Sequence, residues 1–293
     1  MNFANKKNES KEIAEETLSK LDRLKNILTE MGKVLVAFSG GVDSTFLLKV
    51  VRDVLGENVF AVIASSETYP EKEKEEAIRL AKELNVRFEV IQTKELENPD
   101  FFHNPPERCY FCKRELFINL KKIAAAQKIP YILDGANYED TSDFRPGVKA
   151  ASELGIRSPL KEVGLVKSEI RQLSRLLDLP TWNKPSMACL SSRFPYYTEI
   201  EPDSLKQVAR AEEYLKELGF TQVRVRHHGQ IARVEVEPSE FQKVTDEKTR
   251  KEMIQYFKKL GYIYITLDLA GFRSGSMNEP LKLGKKKSPK QTA

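Results

Sequence analysis

At 293 residues with 40% hydrophobic content, the chain is too long for one average domain and apolar enough for two cores, so a main domain with a smaller partner is expected. Its 48 Lys and Arg against 43 Asp and Glu leave a net charge of +5, much of it in the tail Lys282 to Lys290. The body is therefore close to neutral, which argues against a nucleic-acid surface that must neutralise many phosphates at once. No apolar run approaches the ~20 residues of a membrane span, and the start MNFANKKNESKEIAEE is polar, so a cytoplasmic protein without membrane contact is expected.

In chain order, Ile13, Leu18, Leu21, Leu24 and Leu28 recur near helical spacing and predict an amphipathic helix from about Ser10 to Met31. Val34 to Phe38 is apolar on both faces, as in the centre of a parallel sheet covered by helices. Strand and helix then alternate: FAVIA near Phe60, a helix from Glu71 to Leu84, strand RFEVI, a helix from Lys113 to Gln127, and strand YILDG near Tyr131. That order predicts an α/β, doubly wound parallel sheet. Lys167 to Leu177 carries a Ser168 N-cap signal and stops before Pro180. The following WNKPSMACLSSRFPYY fits neither period and reads as a functional loop. A small α+β domain comes next: helix Pro202 to Leu218, strands QVRVRHH and IARVEV around Gly229-Gln230, a helix from Lys248 to Leu260, and strand YIYITL. The expected division is 1–195, 196–270 as a substrate or oligomerisation domain, and a flexible tail over 271–293.

Directly after the first strand stand Ser39, Gly40, Gly41, Val42, Asp43 and Ser44, and then a helical run. Two glycines let the backbone approach an anion, while helix-start amides and the Ser39 and Ser44 hydroxyls aim donors at it. The spacing and lysine of a Walker loop are absent, so chemistry at the α-phosphate is favoured over release of a γ-phosphate. Asp43 is placed to help hold Mg²⁺. As a bare glycine pair this would be an ordinary strand-to-helix turn. The full string SGGVDS resembles the PP-loop of the ATP pyrophosphatases. That resemblance implies ATP as substrate with AMP and pyrophosphate as products, and makes Ser65, within Ala64 to Ser66, and Gly135 and Asn137, after Asp134, nucleotide-site candidates. Turn roles compete for Ser65, Asn137 and the Asp134-Gly135 pair. Asp140, Asp143 and Arg145 form an acidic loop that either binds Mg²⁺ or caps the next helix.

Cys109 and Cys112 stand at C-x-x-C spacing just before a predicted helix, and Cys189 lies in the irregular loop. Three thiols do not close a tetrahedral zinc site, whereas an iron-sulfur cube on three thiolates leaves one iron open to a ligand such as sulfide. A redox pair, a zinc site completed by His103, and a buried role for Cys189 stay open beside that reading. His227 and His228 are adjacent on a strand and face opposite sides, so one is structural.

Five strings in one order, SGGVDS, NPPERCYFCKRELF, DGANYEDTSDFRPGVKAASELGIRSPL, WNKPSMACLSSRFPY and VRVRHHGQIARVEV, resemble the LarE-type ATP-dependent sulfur transferases. The resemblance implies that a carboxylate of a pyridinium biscarboxylate mononucleotide is adenylated and becomes a thiocarboxylate of the nickel-pincer cofactor. One branch of that family sacrifices the sulfur of a cysteine at the position of Cys189. The presence of Cys109 and Cys112 departs from that pattern and is similar to the branch holding a [4Fe-4S] cluster on three cysteines, fed by sulfide or another sulfur donor. Carried over residue by residue, Cys189 and Lys113 become catalytic candidates, and Ser192, Arg193, Arg224 and Arg226 become ligands for the substrate phosphate and carboxylates. Glu212 is set aside as solvated, and a homo-oligomer is expected. The rivals are a tRNA thiolase, an ammonia-using synthetase of the same superfamily, and a non-catalytic nucleotide sensor.

Overall fold

The computed structural model describes residues 13–141, 146–185, 188–273 and 275–279. The chain divides into two compact units, one of Met1–Phe101 with Glu107–Met187 and the other of Phe102–Pro106 with Ala188–Ala293. The expectations for Asp143 and Arg145, for the helix before residue 13 and for the tail beyond 279 lie outside the described residues.

In the first unit, β1 (Val34–Ala37), β2 (Val59–Ser65), β3 (Arg87–Gln92) and β4 (Tyr131–Leu133) form a parallel sheet in the order β3-β2-β1-β4. Alternation along β1 feeds two cores. Val34 and Val36 face α1 (Glu15–Met31), α2 (Val42–Leu55) and α3 (Glu71–Glu83), while Leu35 faces α4 (Arg108–Ala126) and α5 (Pro146–Glu153). Leu24 and Leu28 of α1 are fully buried, worth roughly 1.5–3 kcal/mol each, which outweighs the missing side-chain cap at Ala14. The sheet reverses its winding at β1, between β2 and β4, and ligands of open α/β sheets bind at such a point beyond the carboxyl ends of the strands. Helix α6 (Lys167–Leu176) packs Ile170 and Leu173 into the first core. Its start departs from the expected Ser168 cap. The residue before the helix is Val166, whose N–H donates to Glu169 Oε2 at 3.0 Å, so a carboxylate reaching back replaces the hydroxyl.

The second unit carries the sheet β5-β6-β7, with β5 (Val223–His228) antiparallel to β6 (Ile231–Val236) and β6 parallel to β7 (Tyr264–Leu267). The parallel pair requires a crossover, supplied by α8 (Glu247–Lys259). Val223, Val225 and Val234 pack with Ala211 and Leu215 of α7 (Pro202–Glu217) and with Met253 and Phe257 of α8. The short piece Phe102–Pro106 is bound into this unit by Asn104, whose side-chain amide donates to the carbonyls of Phe194 (3.2 Å) and Pro195 (2.7 Å). No helix among the described residues is long and apolar enough to cross a membrane.

Candidate active site

The turn after β1 is shaped by Gly40, which sits at φ +68°, and by Gly41, the residue before α2. Among the described residues no side chain caps that helix start, which suits its first-turn amides to a bound anion. The Ser39 and Ser44 hydroxyls lie 3.0 Å apart, and Ser44 Oγ also donates to Gly41 O at 3.2 Å, which fixes both on one side of the turn. Val42 is buried and anchors the helix start in the core.

Gly135 belongs to the same site. A Cβ there would stand 3.0 Å from Ser44 N and 3.1 Å from Ser44 Cα, so only a glycine lets the β4 turn close on the phosphate loop. Asn137 follows, with Nδ2 at 3.5 Å from Asp43 Oδ2 and Oδ1 accepting Glu139 N–H. Asp140 accepts Asn137 N–H and Asp134 accepts Ala136 N–H and the Ser158 hydroxyl, so both carboxylates brace the turn. Ser65 ends β2, where its carbonyl accepts Thr93 N–H at 2.9 Å.

Two lysines absent from the sequence reading stand here. Lys167 Nζ is 2.7 Å from Asp43 Oδ2, while Asp43 Oδ1 is buried with no hydrogen-bond partner among the described residues. An anionic oxygen in that state suits a hard cation, so Asp43 fits Mg²⁺. A lysine in the first turn of a helix opposes the macrodipole, and that mismatch was the available sequence signal for Lys167. Lys184 lies between Glu73 (2.8 Å), Glu76 (2.7 Å) and the Gly40 carbonyl (3.3 Å); the sequence marked its segment as a functional loop but did not single out this residue.

Helix α4 begins at Arg108, earlier than expected, so Cys109 and Cys112 lie inside it and not ahead of it. Pro105 and Pro106 end the preceding segment, and Arg-Cys-Tyr-Phe-Cys contains no helix breaker. Three residues apart, the two thiols share a helix face, Cys109 exposed and Cys112 half-buried. Cys112 Sγ is 3.5 Å from Oε1 of Glu95, a buried carboxyl pushed above its ordinary range by burial. The pair suits one edge of a metal or cluster site, yet among the described residues no group of three His, Cys, Asp or Glu side chains could hold a metal. Lys113 lies on the same helix with its stem against Gly147 and its ammonium 5.3 Å from the Phe117 ring centre. His103 of the other unit has Glu199 Oε1 3.5 Å from its Nδ1.

In the second unit, Cys189 precedes a 3₁₀ turn, Leu190–Arg193, that Arg193 holds from within. Its Nη1 donates to Ala188 O (2.8 Å), Cys189 O (3.0 Å) and Ser192 Oγ (2.8 Å), while Nε and Nη2 donate bidentately to Glu212 at 2.8 Å. Glu212 is thus no solvated residue, because it is 4% exposed and also accepts the edge N–H of Val225. Burial alone would push both groups toward neutrality, but each charge outweighs it in the other, so Arg193 is held above and Glu212 below the ordinary range. Arg193 itself is 0% exposed, so it meets a substrate only through the Ser192 turn that it supports.

Arg224 and Arg226 share the other face of β5, as their spacing predicts. Arg226 is forked onto Glu235 (3.0 and 2.7 Å) and donates to Ser192 O (3.0 Å) and Ser276 Oγ (2.8 Å), which makes Ser276 a buried part of this unit. Arg224 donates to Val223 O at 2.7 Å and lies over the Phe272 ring. Burial, with Arg193 nearby, pulls its pKa down to about 10. Of the two histidines, His227 is the structural one, its Nδ1 3.2 Å from Tyr262 Oη, while His228 is exposed.

Residues 17–101, which include the phosphate loop, match the family model described as NAD synthase. The chain is 42% identical over 258 residues to the pyridinium-3,5-bisthiocarboxylic acid mononucleotide synthase of Lactiplantibacillus plantarum, covering 87% of this chain and 92% of that protein. It is also 46% identical to a protein of Synechocystis sp. described as uncharacterized (90% and 98% covered) and 32% identical to another of Methanocaldococcus jannaschii (88% and 98% covered).

Proposed function

The chain belongs to the LarE-type ATP-dependent sulfur transferases, within the PP-loop ATP pyrophosphatases, and we propose that it converts a carboxylate of pyridinium-3,5-biscarboxylic acid mononucleotide into a thiocarboxylate for a nickel-pincer cofactor. One observation carries the reading: the uncapped start of α2 presents free amides beside an orphaned Asp43 oxygen, in a chain 42% identical to the synthase of that class.

Ser39 to Ser44 grip the phosphates of ATP, with Ser65, Gly135 and Asn137 at the nucleotide and Asp43 holding Mg²⁺. The metal, when bound, supplies Lewis acidity at the phosphoryl oxygens. A substrate carboxylate oxygen attacks the α-phosphorus, the bond to the pyrophosphate oxygen breaks, and pyrophosphate departs; preorganised amides and Lys167 offset the growing charge. Hydrosulfide, or a donor carrying equivalent sulfur, then attacks the acyl carbon. The carbon–oxygen bond to AMP breaks, AMP takes the electron pair, and loss of the sulfur proton leaves a thiocarboxylate.

Ser192 and Arg224 bind the substrate phosphate and carboxylates, with Arg193 and Arg226 fixing the turn and strand that carry them. Cys189 and Lys113 serve the transfer step. Cys109, Cys112 and Cys189 are read as ligands of a [4Fe-4S] cluster on their donor chemistry, and no step is derived through it. Iron and sulfide analysis after anaerobic purification tests that part: about four of each per chain is expected, and none would remove the cluster. A cytoplasmic homo-oligomer completes the reading; its association is favoured by β7, an edge strand among the described residues, at and beside which Ile263, Tyr264 and Leu269 are exposed, and sedimentation checks it.

The central experiment incubates the protein with ATP, Mg²⁺, the pyridinium mononucleotide and hydrosulfide. Substrate-dependent pyrophosphate and a thiocarboxylate product are expected. ATP binding without pyrophosphate would leave a nucleotide sensor in place of an enzyme.

A further inference from the structure

We propose that the Gly40–Gly41 peptide is a two-way element of the phosphate loop, held by the Lys184 ammonium in the orientation that offers the Gly41 N–H to an anion; the inference deepens the nucleotide reading above and rests on it. Lys184 Nζ lies 3.3 Å from Gly40 O, 2.7 Å from Glu76 Oε2 and 2.8 Å from Glu73 Oε2, so each of its three N–H bonds has an acceptor. In a planar trans peptide the N–H points opposite to the carbonyl, so an ammonium on Gly40 O keeps the Gly41 N–H facing away from the lysine. That N–H donates to no atom among the described residues. Gly41 immediately precedes α2, whose first turn has no side-chain cap among the described residues, and its N–H joins that set of donors.

Two glycines in succession leave this peptide free to turn over. Gly41 sits at φ −78°, and half a turn of the peptide carries it to positive φ, which glycine adopts at little cost and alanine does not. Turned over, the peptide presents the Gly40 oxygen to a phosphate in place of an N–H, and attraction becomes repulsion. The lysine that opposes this is itself fixed. Its side chain is 13% exposed, and Arg171 grips the main chain around it, Nη1 donating to Trp182 O and Nη2 to Lys184 O, both at 2.8 Å. The two glutamates stand on α3, and Gly40 is seated on that helix, where a Cβ would lie 3.0 Å from Ala77 Cβ. A lysine that only neutralised Glu73 and Glu76 would act through charge, and removing all three side chains would cancel its effect. A lysine that orients the peptide acts only while residue 41 is able to turn. Alanine at that position fits the observed orientation, since a Cβ there meets Ser39 Oγ at 3.5 Å, an ordinary contact.

The experiment titrates the full-length protein by calorimetry with ATP and, separately, with inorganic pyrophosphate, both in Mg²⁺. The wild type is compared with Lys184→Met, Lys184→Arg, the triple variant K184M/E73Q/E76Q, Gly41→Ala and K184M/G41A. K184M is expected to bind both ligands about tenfold more weakly, the worth of one hydrogen bond to a charged group, while K184R stays within about threefold of the wild type. The triple variant carries less negative charge here than the wild type yet lacks the donor, and is expected to stay about tenfold weak. In the G41A background the loss on removing Lys184 is expected to shrink below about threefold, because alanine itself resists the turned peptide. Should the stranded glutamates unfold K184M, the triple variant with and without G41A takes its place. Unchanged affinity in K184M overturns the proposal, and so does affinity restored in the triple variant or an equal loss in both backgrounds. Wild-type protein that binds neither ligand refutes the nucleotide reading instead. The peptide is then judged without ligand by ¹⁵N relaxation dispersion at the residue 41 amide. Millisecond exchange in K184M that is absent from the wild type and from K184M/G41A supports the hold, and a flat profile in K184M overturns it.

Discussion

The phosphate loop and the arginine face of β5 both gather groups suited to anions, and they do so by opposite means. Around Ser39 to Ser44 the donors are main-chain amides and small hydroxyls, the helix start is uncapped, and one oxygen of Asp43 is left without a partner. On β5 and the 3₁₀ turn that packs with it the donors are guanidinium groups, and two of these buried arginines hold carboxylates, Arg193 with Glu212 and Arg226 with Glu235. The first region keeps bonding capacity in reserve for a ligand, whereas the second has used much of its own to build a scaffold. Density of positive charge is thus a poor guide to where an anion binds, and unspent donors are a better one.

The largest expected effect falls on the open region. Asp43→Asn keeps the shape but removes the anionic oxygen, so pyrophosphate formation should drop about 10²-fold or more, read in a coupled assay. An activity near wild type would erase the contrast by showing that the orphaned oxygen has no role.

On the closed region the effect should appear in stability. Glu212→Gln leaves Arg193 charged and buried without its counter-ion, at a cost of about 3–5 kcal/mol in urea unfolding. If the loss is under about 1 kcal/mol, the pair behaves like a surface ion pair and the scaffold reading fails.

Two glycines sharpen the comparison further. Gly135→Ala drives a methyl group to 3.0 Å from Ser44 backbone, an overpacking of about 1–3 kcal/mol, and should weaken ATP binding roughly tenfold by calorimetry. Gly147→Ala meets the flexible Lys113 stem at the same distance and should change ATP binding less than about threefold, because the obstacle can move.

The smallest effect is a pH dependence. Burial holds His227 below the usual imidazole range, and the neighbouring His228 adds to the shift. The unfolded chain therefore binds more protons just below pH ~6.5, and stability is lost as pH falls through that value. Melting temperatures between pH 7.5 and 5.5 should show it, and His227→Phe should flatten the slope.

The parts legible in the sequence are those written locally. Alternation in VLVAF, the glycines after it and the helical run that follows specify β1, the turn and α2 within a single stretch, so the loop and its neighbours could be named from the residues alone. Glu212 was misread because AEEYLKELGF has the look of a solvated helix face, and its partner Arg193 comes from another stretch, 19 positions away. Lys167 is 124 positions from Asp43, and Lys184 is 144 from Gly40, so no window on the chain reveals either pairing. The early start of α4 was hidden for another reason: cysteine and aromatic residues are weak helix formers, and the boundary is set by Pro106 and not by a cap.

The five residues Phe102–Pro106 have a practical corollary. Because they lie in the interior of one unit's sequence while belonging to the other, no single cut yields two complete fragments. A fragment beginning at Ala188 would lack the amide of Asn104 and strand the carbonyls of Phe194 and Pro195, while one ending at Met187 would carry Phe102–Pro106 without those two carbonyls. Gene dissection of this enzyme therefore calls for a circular permutant or for co-expression of overlapping pieces.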